Sequence, residues 1–281
     1  MNPTARTGAP TAAEPMSSAT PPRRRARILL GYAGWDLLRT VRMFSATFFI
    51  VVLPMAMFLI FGGIADYGDQ ALGRGNGSAY VMTSMAVYGA VTAMTATAGS
   101  AAVERQQGWG RQLGLTALSN GMYAAGKCLV GLAMALLPVL ALFFLATAMG
   151  ARFDHAWMWP ITGLIVLIGS LPFALYGLAS ALLFRSEAAV SVASGLLVLL
   201  AFFGNLFMPL SGAMLAIAKF TPLYGLASAA RWPQLEGQLL QIGPAAPEAG
   251  DSLLFSVLNV VVWTAVFGAI CGLAGRRRTA R

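Results

Sequence analysis

The sequence predicts an all-α membrane protein of six transmembrane helices. An N-terminal amphipathic helix lies at the interface, a short re-entrant helix sits between spans five and six, and both termini are cytoplasmic. Three observations carry this prediction. The 281-residue chain is 58% hydrophobic and only 10% charged, with a mean hydropathy of +0.71, whereas a soluble domain carries about 25% charged residues. Too few polar side chains remain to coat a soluble globule. The apolar residues gather into six stretches near the roughly 20 residues that a helix needs to cross a core of about 30 Å. Finally, the charges divide unequally between the two sets of connections that those stretches define.

Taken in order, residues 1–26 read as a disordered basic cytoplasmic tail. It is rich in Pro, Ala, Ser and Thr and closes on Arg23, Arg24 and Arg25. With Arg27 these arginines suit anionic lipid headgroups. No apolar run precedes a cleavage site, so no signal peptide is expected. Residues 27–43 form no span. Leu30, Leu37, Leu38 and Val41 share a helical face, Tyr32 and Trp35 suit the interface, and Asp36, Arg39 and Arg42 supply polar contrast. That pattern predicts a helix lying in the inner headgroup layer.

The six spans are expected at 44–64, 79–102, 128–149, 159–184, 189–207 and 253–273. Residues 208–252 are too long for a simple loop and still partly apolar. Pro209 should end span five, because proline removes a helix hydrogen bond. The segment 210–220 is helical in pattern but too short to cross, and Pro222 breaks it again. A re-entrant helix followed by an extracellular loop over 231–252 is expected, with Trp232 at the headgroups. Irregular backbone at that depth must be buried in protein or line a cavity. Residues 276–281 form a second basic cytoplasmic tail.

With this map, 15 Lys and Arg residues and four acids fall on the side of the termini, against four and six on the other. The net charge of +9 is therefore a topological signal, the excess of basic loops on the cytoplasmic side. A nucleic-acid partner is not expected.

No charged residue lies inside a predicted span. This argues against a proton relay and against a voltage sensor. No HExxH or GxSxG motif is present, so the chain is not expected to be an enzyme in its own right. No metal or cofactor is expected on it. Cys128 and Cys271 sit at the ends of apolar runs as packing residues, and His155, beside Asp154, reads as a solvated loop residue. The stretch 121–128, GMYAAGKC, falls one residue short of a phosphate-binding loop. Such a loop needs a preceding strand and a hydroxyl for magnesium, and here Cys128 stands in the hydroxyl's place. The expectation is instead that Lys127 rests at the inner interface.

The longest cytoplasmic connection is 103–127. Its polar residues Glu104, Arg105 and Arg111, followed by Trp109, Leu113 and Leu118 as apolar contacts, suit a short helix docking on a cytoplasmic partner. A solvated loop with an interfacial tryptophan is the plainer alternative.

These features together resemble the ABC type-2 exporter permeases, the membrane subunits of bacterial ABC export systems. The resemblance spans about residues 27–275. It rests on the amphipathic helix before span one, and on Glu104-Arg105-Gln106-Gln107-Gly108 leading through Leu113 and Leu118 to Gly126-Lys127. It also rests on the break Leu206-Phe207-Met208-Pro209-Leu210 and on Thr221-Pro222-Leu223-Tyr224 before the last span. Within the family the chain looks most like the daunorubicin-resistance type of antibiotic permease. It departs from the family pattern where Ser119-Asn120-Gly121 replaces a proline after the coupling stretch.

The resemblance implies a half-transporter in the bacterial cell membrane. A second permease copy or paralogue would pair with it, and two copies of a separate ATPase subunit, carrying ATP and Mg, would dock on the coupling residues Glu104, Arg105, Gly108, Trp109, Arg111, Leu113 and Leu118. The cargo would be an antibiotic or another small amphipathic molecule, moved by alternating access. Spans two and five would line its path, with Met82, Met85, Tyr88 and Thr92 on one and Phe202, Phe203, Asn205 and Phe207 on the other. Methionine and aromatic side chains form an adaptable apolar surface, although ordinary helix packing uses the same residues. Lipid or polysaccharide export by the same architecture, and a non-transport membrane assembly role, are the alternatives.

Overall fold

A computed structural model of the chain describes residues 22–63, 68–108, 116, 118–184, 187–240 and 250–279. The expected tail up to residue 21 lies outside these, as do Trp109, Arg111, Leu113 and the side chain of Arg105. The described residues are mostly helical and form no strand; the extended pairing among them is two isolated bridges, Ala71 with Asn76 and Gly75 with Phe153.

The helices are, in chain order, α1 (Pro22–Arg42), α2 (Phe44–Phe58), α3 (Gly77–Gln106), α4 (Asn120–Ala148), α5 (Met158–Ser170), α6 (Pro172–Phe184), α7 (Glu187–Phe203), α8 (Gly212–Ala218), α9 (Pro222–Leu235) and α10 (Leu253–Thr279). A π-helical turn, Leu59–Gly63, extends α2. Four helical segments are long and apolar enough to cross a membrane: 77–104, 121–148, the joined α5 and α6 over 158–183, and 253–274. They match expected spans two, three, four and six. Expected span one is α2 with its π turn, joined to α1 at a 64° bend, and expected span five is the shorter apolar α7. If each bent pair counts as one span, the number rises to as many as six.

Helix α3 is the centre of the fold. Its 30 residues make a rod of about 45 Å. Asn76 caps it, the side-chain Oδ1 accepting from the Ala79 N–H at 3.1 Å. Every residue from Ala79 to Val91 is buried, and α2, α4, α5, α6, α7 and α9 all pack on it. The sequence explains this position, since α3 is rich in Ala, Gly, Ser and Thr and apolar all round. Its hydroxyls do not stay unpaired: Thr83 and Ser84 donate back to the Ala79 and Tyr80 carbonyls at 2.9 and 2.8 Å. Small residues also let the neighbours close in. A Cβ added at Gly177 of α6 would fall 2.2 Å from the Thr95 carbonyl oxygen of α3. Gly268 and Gly272 of α10 make no such close approach to the described residues. A Cβ at Gly268 would just touch Leu175, and one at Gly272 would meet open space.

Three boundaries differ from expectation. Helix α1 begins at Pro22, so Arg23, Arg24 and Arg25 occupy its first turns; proline at the first helical position is pre-set for a helix start. The connection expected at 103–127 is shorter, because α3 continues through Gln106 and α4 starts at Asn120, capped by the Ser119 hydroxyl accepting from the Met122 N–H. The glycine-rich stretch 121–128 is thus continuous helix. Most consequential is the region after span five. Residues 222–235, assigned partly to an outer loop, form α9, which is almost wholly buried against α3, α5 and α10 and bent 96° from α8. Pro222 starts this helix, where its missing N–H costs nothing.

The Gly177 contact makes a direct prediction. Gly177→Leu should destabilise the fold by about 3 kcal/mol, at the upper end of overpacking costs, while Gly272→Ala should change it by less than about 0.5 kcal/mol. Reversible unfolding in mixed micelles measures both, and equal effects of the two substitutions would contradict the packing described.

Candidate functional site

Charges gather at the end of the bundle where α3 finishes and α4 begins. Asp36 and Arg39 stand three residues apart on α1 and so share one helix face. Glu104 is in the last turn of α3, and Tyr123 and Lys127, four apart, lie in the first turns of α4. The three helices bring them into one cluster. Lys127 Nζ lies 2.9 Å from Asp36 Oδ2 and 2.8 Å from Glu104 Oε2. Arg39 pairs with Asp36 at 2.9 Å and also with Glu104. The Tyr123 hydroxyl reaches the Ala101 carbonyl at 3.1 Å and Glu104 Oε2 at 3.3 Å. Lys127 and Asp36 are buried, their side chains 6% and 5% exposed.

Two acids and two bases make the cluster formally neutral. That balance is what permits burial, since an unpaired charge there would cost several kcal/mol in desolvation. Packing helps to bring the partners together. A Cβ at Gly126 would lie 2.6 Å from Tyr32 Cδ1, so only glycine lets the Tyr32 ring of α1 settle on α4, where it meets the Tyr123 ring at 5.7 Å between centroids.

The cluster changes the reading of two residues. Lys127, expected at an interface, is instead the buried hub of the network. Glu104, expected to face a cytoplasmic partner, directs its carboxylate inward to Lys127 and Arg39. Among the other expected coupling residues, Gly108 lies just beyond the end of α3 with a φ of +98°, and Leu118 is half-buried before α4. The signal for the cluster was present in the sequence as an acid and a base at helical spacing on the polar side of an amphipathic helix, with a lysine opening an apolar run.

Midway along the bundle, the residues proposed for the substrate path are partly assembled. Phe207 packs edge-on against Tyr88 at 5.4 Å and Phe202 at 4.8 Å, and stacks on Phe61 at 6.4 Å. Met82 and Met85 are fully buried in the core, whereas Phe202 and Phe203 are exposed. The Thr92 hydroxyl donates to the Tyr88 carbonyl at 2.8 Å.

Asn205 terminates α7. Its φ is +59°, the left-handed conformation that asparagine tolerates at a helix end. The Leu206 N–H bonds the Ala201 carbonyl at 3.0 Å and the Asn205 N–H bonds that of Phe202 at 3.2 Å, the paired bonds of a Schellman motif. The Asn205 amide oxygen accepts from the Leu210 N–H at 2.8 Å. The helix therefore ends at Phe203, six residues before Pro209, and the polar side chain is used in shaping the break.

The opposite end of the bundle holds a second buried charge, one that the sequence placed in water. Arg231 of α9 is 5% exposed. Its guanidinium donates to the Ser84 hydroxyl at 2.8 and 3.2 Å and to the Asn205 carbonyl at 2.6 Å. It also lies over the Tyr80 ring, 4.3 Å from the centroid. Gln234, one turn on, donates to the Leu72 and Asn76 carbonyls at 3.0 Å. These bonds fasten α9 to the start of α3 and to the break after α7. Nearby, Lys219 pairs with Asp251 at 2.9 Å, and Tyr224 donates to the same carboxylate. The Asn259 amide and the Trp263 indole of α10 donate to the Lys219 and Phe220 carbonyls at 2.9 and 3.0 Å, satisfying backbone in the turn between α8 and α9.

No family model matches the chain. Over 208 residues, 72% of this chain and 83% of the relative, it is 25% identical to a Bacillus subtilis (strain 168) protein named "Putative transport permease YvfS".

Removing one partner of the neutral cluster leaves a charge buried. Lys127→Met should therefore lower stability by about 3–5 kcal/mol, and the double variant Lys127→Met with Asp36→Asn should recover part of that loss. Unfolding in mixed micelles tests this. A double variant as unstable as the sum of the singles would mean that the charges do not interact.

Proposed function

We propose that the chain is a membrane transport permease, and more specifically the membrane-spanning subunit of an ATP-driven exporter. The supporting observation is the likeness to a transport permease across most of both chains, set on a bundle with at least four helices long enough to cross a membrane. The proposed arrangement has six spans in the bacterial cell membrane and both termini in the cytoplasm. Two copies of a separate ATPase subunit dock there, and a second permease chain completes the transporter. ATP and Mg belong to the ATPase. The cargo is an antibiotic or another small amphipathic molecule.

The fold suggests how docking would be felt at the far side. The connection 107–119 joins α3 and α4 at the charged cluster, which also holds α1. A push on that connection would act on three helices through short ion pairs. Helix α3 is one continuous helix, so displacement at its charged end reaches Ser84 about 30 Å away, and Tyr80 one turn beyond. There Arg231 ties it to α9 and to the break after α7. An alternating-access cycle needs two packings of such elements, and the broken segment between α7 and α10 is the part with least continuous helix to repack.

Co-expression with its ATPase tests the proposal. The chain should co-purify with that subunit, and cargo should stimulate ATP hydrolysis in the assembled complex. Replacing both coupling residues, Trp109→Ala with Arg111→Glu, should reduce ATP-dependent export at least tenfold at unchanged expression. Export at the wild-type rate would remove 104–118 from the coupling contact, and a chain that binds no ATPase would sink the exporter reading.

A further inference from the structure

Arg231 differs from every other buried charge described above. The described residues include no carboxylate paired with it. Asp251 is taken by Lys219 and Tyr224, and Glu236 pairs with the exposed Arg74. What surrounds the guanidinium is neutral: a hydroxyl, a backbone carbonyl and an aromatic face. Such groups soften the loss of water but do not cancel a charge, and an ionisable group in a membrane-embedded bundle without its counter-charge marks a site. Ser84 stands two turns into α3, placing the guanidinium about 10 Å below the start of that helix.

The same side chain lines a small cleft. Tyr80, Asn205, Tyr224, Ser228 and Gln238 line it with Arg231, which supplies hydroxyl and amide groups beside the cation and no acid. The cavity is about 20 Å³, room for one or two water-sized groups. A whole drug-sized molecule does not fit. A carboxylate or the two free oxygens of a phosphodiester has the right size and charge. The half-buried Leu239 and Leu240 add apolar surface to the lining, as suits a hydrocarbon chain attached to that oxyanion.

We propose that the Arg231 cleft binds the oxyanion head group of an amphiphile, with Arg231 as its counter-charge and Ser228 and Gln238 as hydrogen-bonding partners. Arg231 Nε and Nη2 are taken by Ser84 and the Asn205 carbonyl, so Nη1, which bonds nothing among the described residues, is the charged donor left for an oxyanion oxygen. The binding requires no ATPase. If the exporter reading also holds, the site lies at the exit side, and the oxyanion belongs either to the cargo or to a lipid of the outer leaflet.

The full chain in phosphatidylcholine nanodiscs tests this by its thermal midpoint, titrated separately with phosphatidylglycerol, decanoate, decanol and inorganic phosphate. Reading each response as wild type minus Arg231→Gln cancels anionic lipid held by the arginines of α1. Phosphatidylglycerol or decanoate should raise the wild-type midpoint, and Arg231→Gln should weaken that binding at least tenfold. A response to phosphatidylglycerol alone identifies a lipid head group, and one to decanoate identifies a carboxylate amphiphile. Should Arg231→Gln fail to fold, Ser228→Ala with Gln238→Ala keeps the charge and should still weaken binding about threefold. Identical titrations of wild type and the cleft variants would overturn the proposal, as would an equal response to decanol or to inorganic phosphate. Glu248 lies outside the described residues, and a Glu248→Gln chain that binds the anionic probes at least tenfold more tightly than wild type would also overturn it, by assigning the counter-charge to the protein itself. None of these outcomes depends on transport, so the exporter reading stands or falls separately.

Discussion

The close approach of neighbouring helices to α3 depends on side chains that are absent. At Gly177 the backbone of α6 comes so near the Thr95 carbonyl that even a methyl group would overlap it. Alanine, serine and threonine along α3 repeat this on a smaller scale; the Thr83, Ser84 and Thr92 hydroxyls bond to their own helix, and those of Ser78 and Thr95 donate to the Gly62 and Phe173 carbonyls. In an apolar solvent, helix association gains little from hiding hydrocarbon, so contact between backbones carries more of the stability. With α3 largely buried, α2, α4, α5, α6, α7 and α9 are positioned by how they meet it, and α1, α8 and α10 attach through those helices.

The two ends of α3 treat charge in opposite ways. At one end, two acids and two bases from three helices neutralise one another, and the network fixes α1 to the bundle. Its long reach in sequence, from residue 36 to residue 127, makes it a clamp on relative helix position more than a local bond. At the other end, a single guanidinium holds α3, α9 and the break after α7 with hydrogen bonds to neutral groups. The first arrangement is complete within the chain, whereas the second leaves a positive charge beside a polar cleft. A rigid helix of about 45 Å connects them, so the interior is apolar with ionic fastenings at both ends.

Much of this could be read without coordinates, and what could not has a common cause. Spans two, three, four and six were legible because a long apolar run has few other options. Asn205 stood out as an uncharged polar residue needing a partner, but its partner turned out to be the Leu210 N–H five residues away. Helix α9 was not legible: Pro222, Arg231 and Pro233 in fourteen residues read as a loop, because composition counts a charge as exposed until something is seen to surround it. Glu104 and Lys127 were each noticed, yet 22 residues of intervening sequence hid the fact that they touch. The likeness to a transport permease agrees with the transport class that the family resemblance implied, and it names no cargo.

The sequence by itself determined that the chain belongs in a membrane and where its long helices lie. These follow from hydropathy and charge, which are properties of segments and add along the chain. Only the tertiary structure decided which charges are buried and what they meet. Lys127 has a counter-charge on each of two other helices, and Arg231 has none among the described residues. Whether a charge can be buried depends on groups brought within about 3 Å by packing, and no segment carries that information alone.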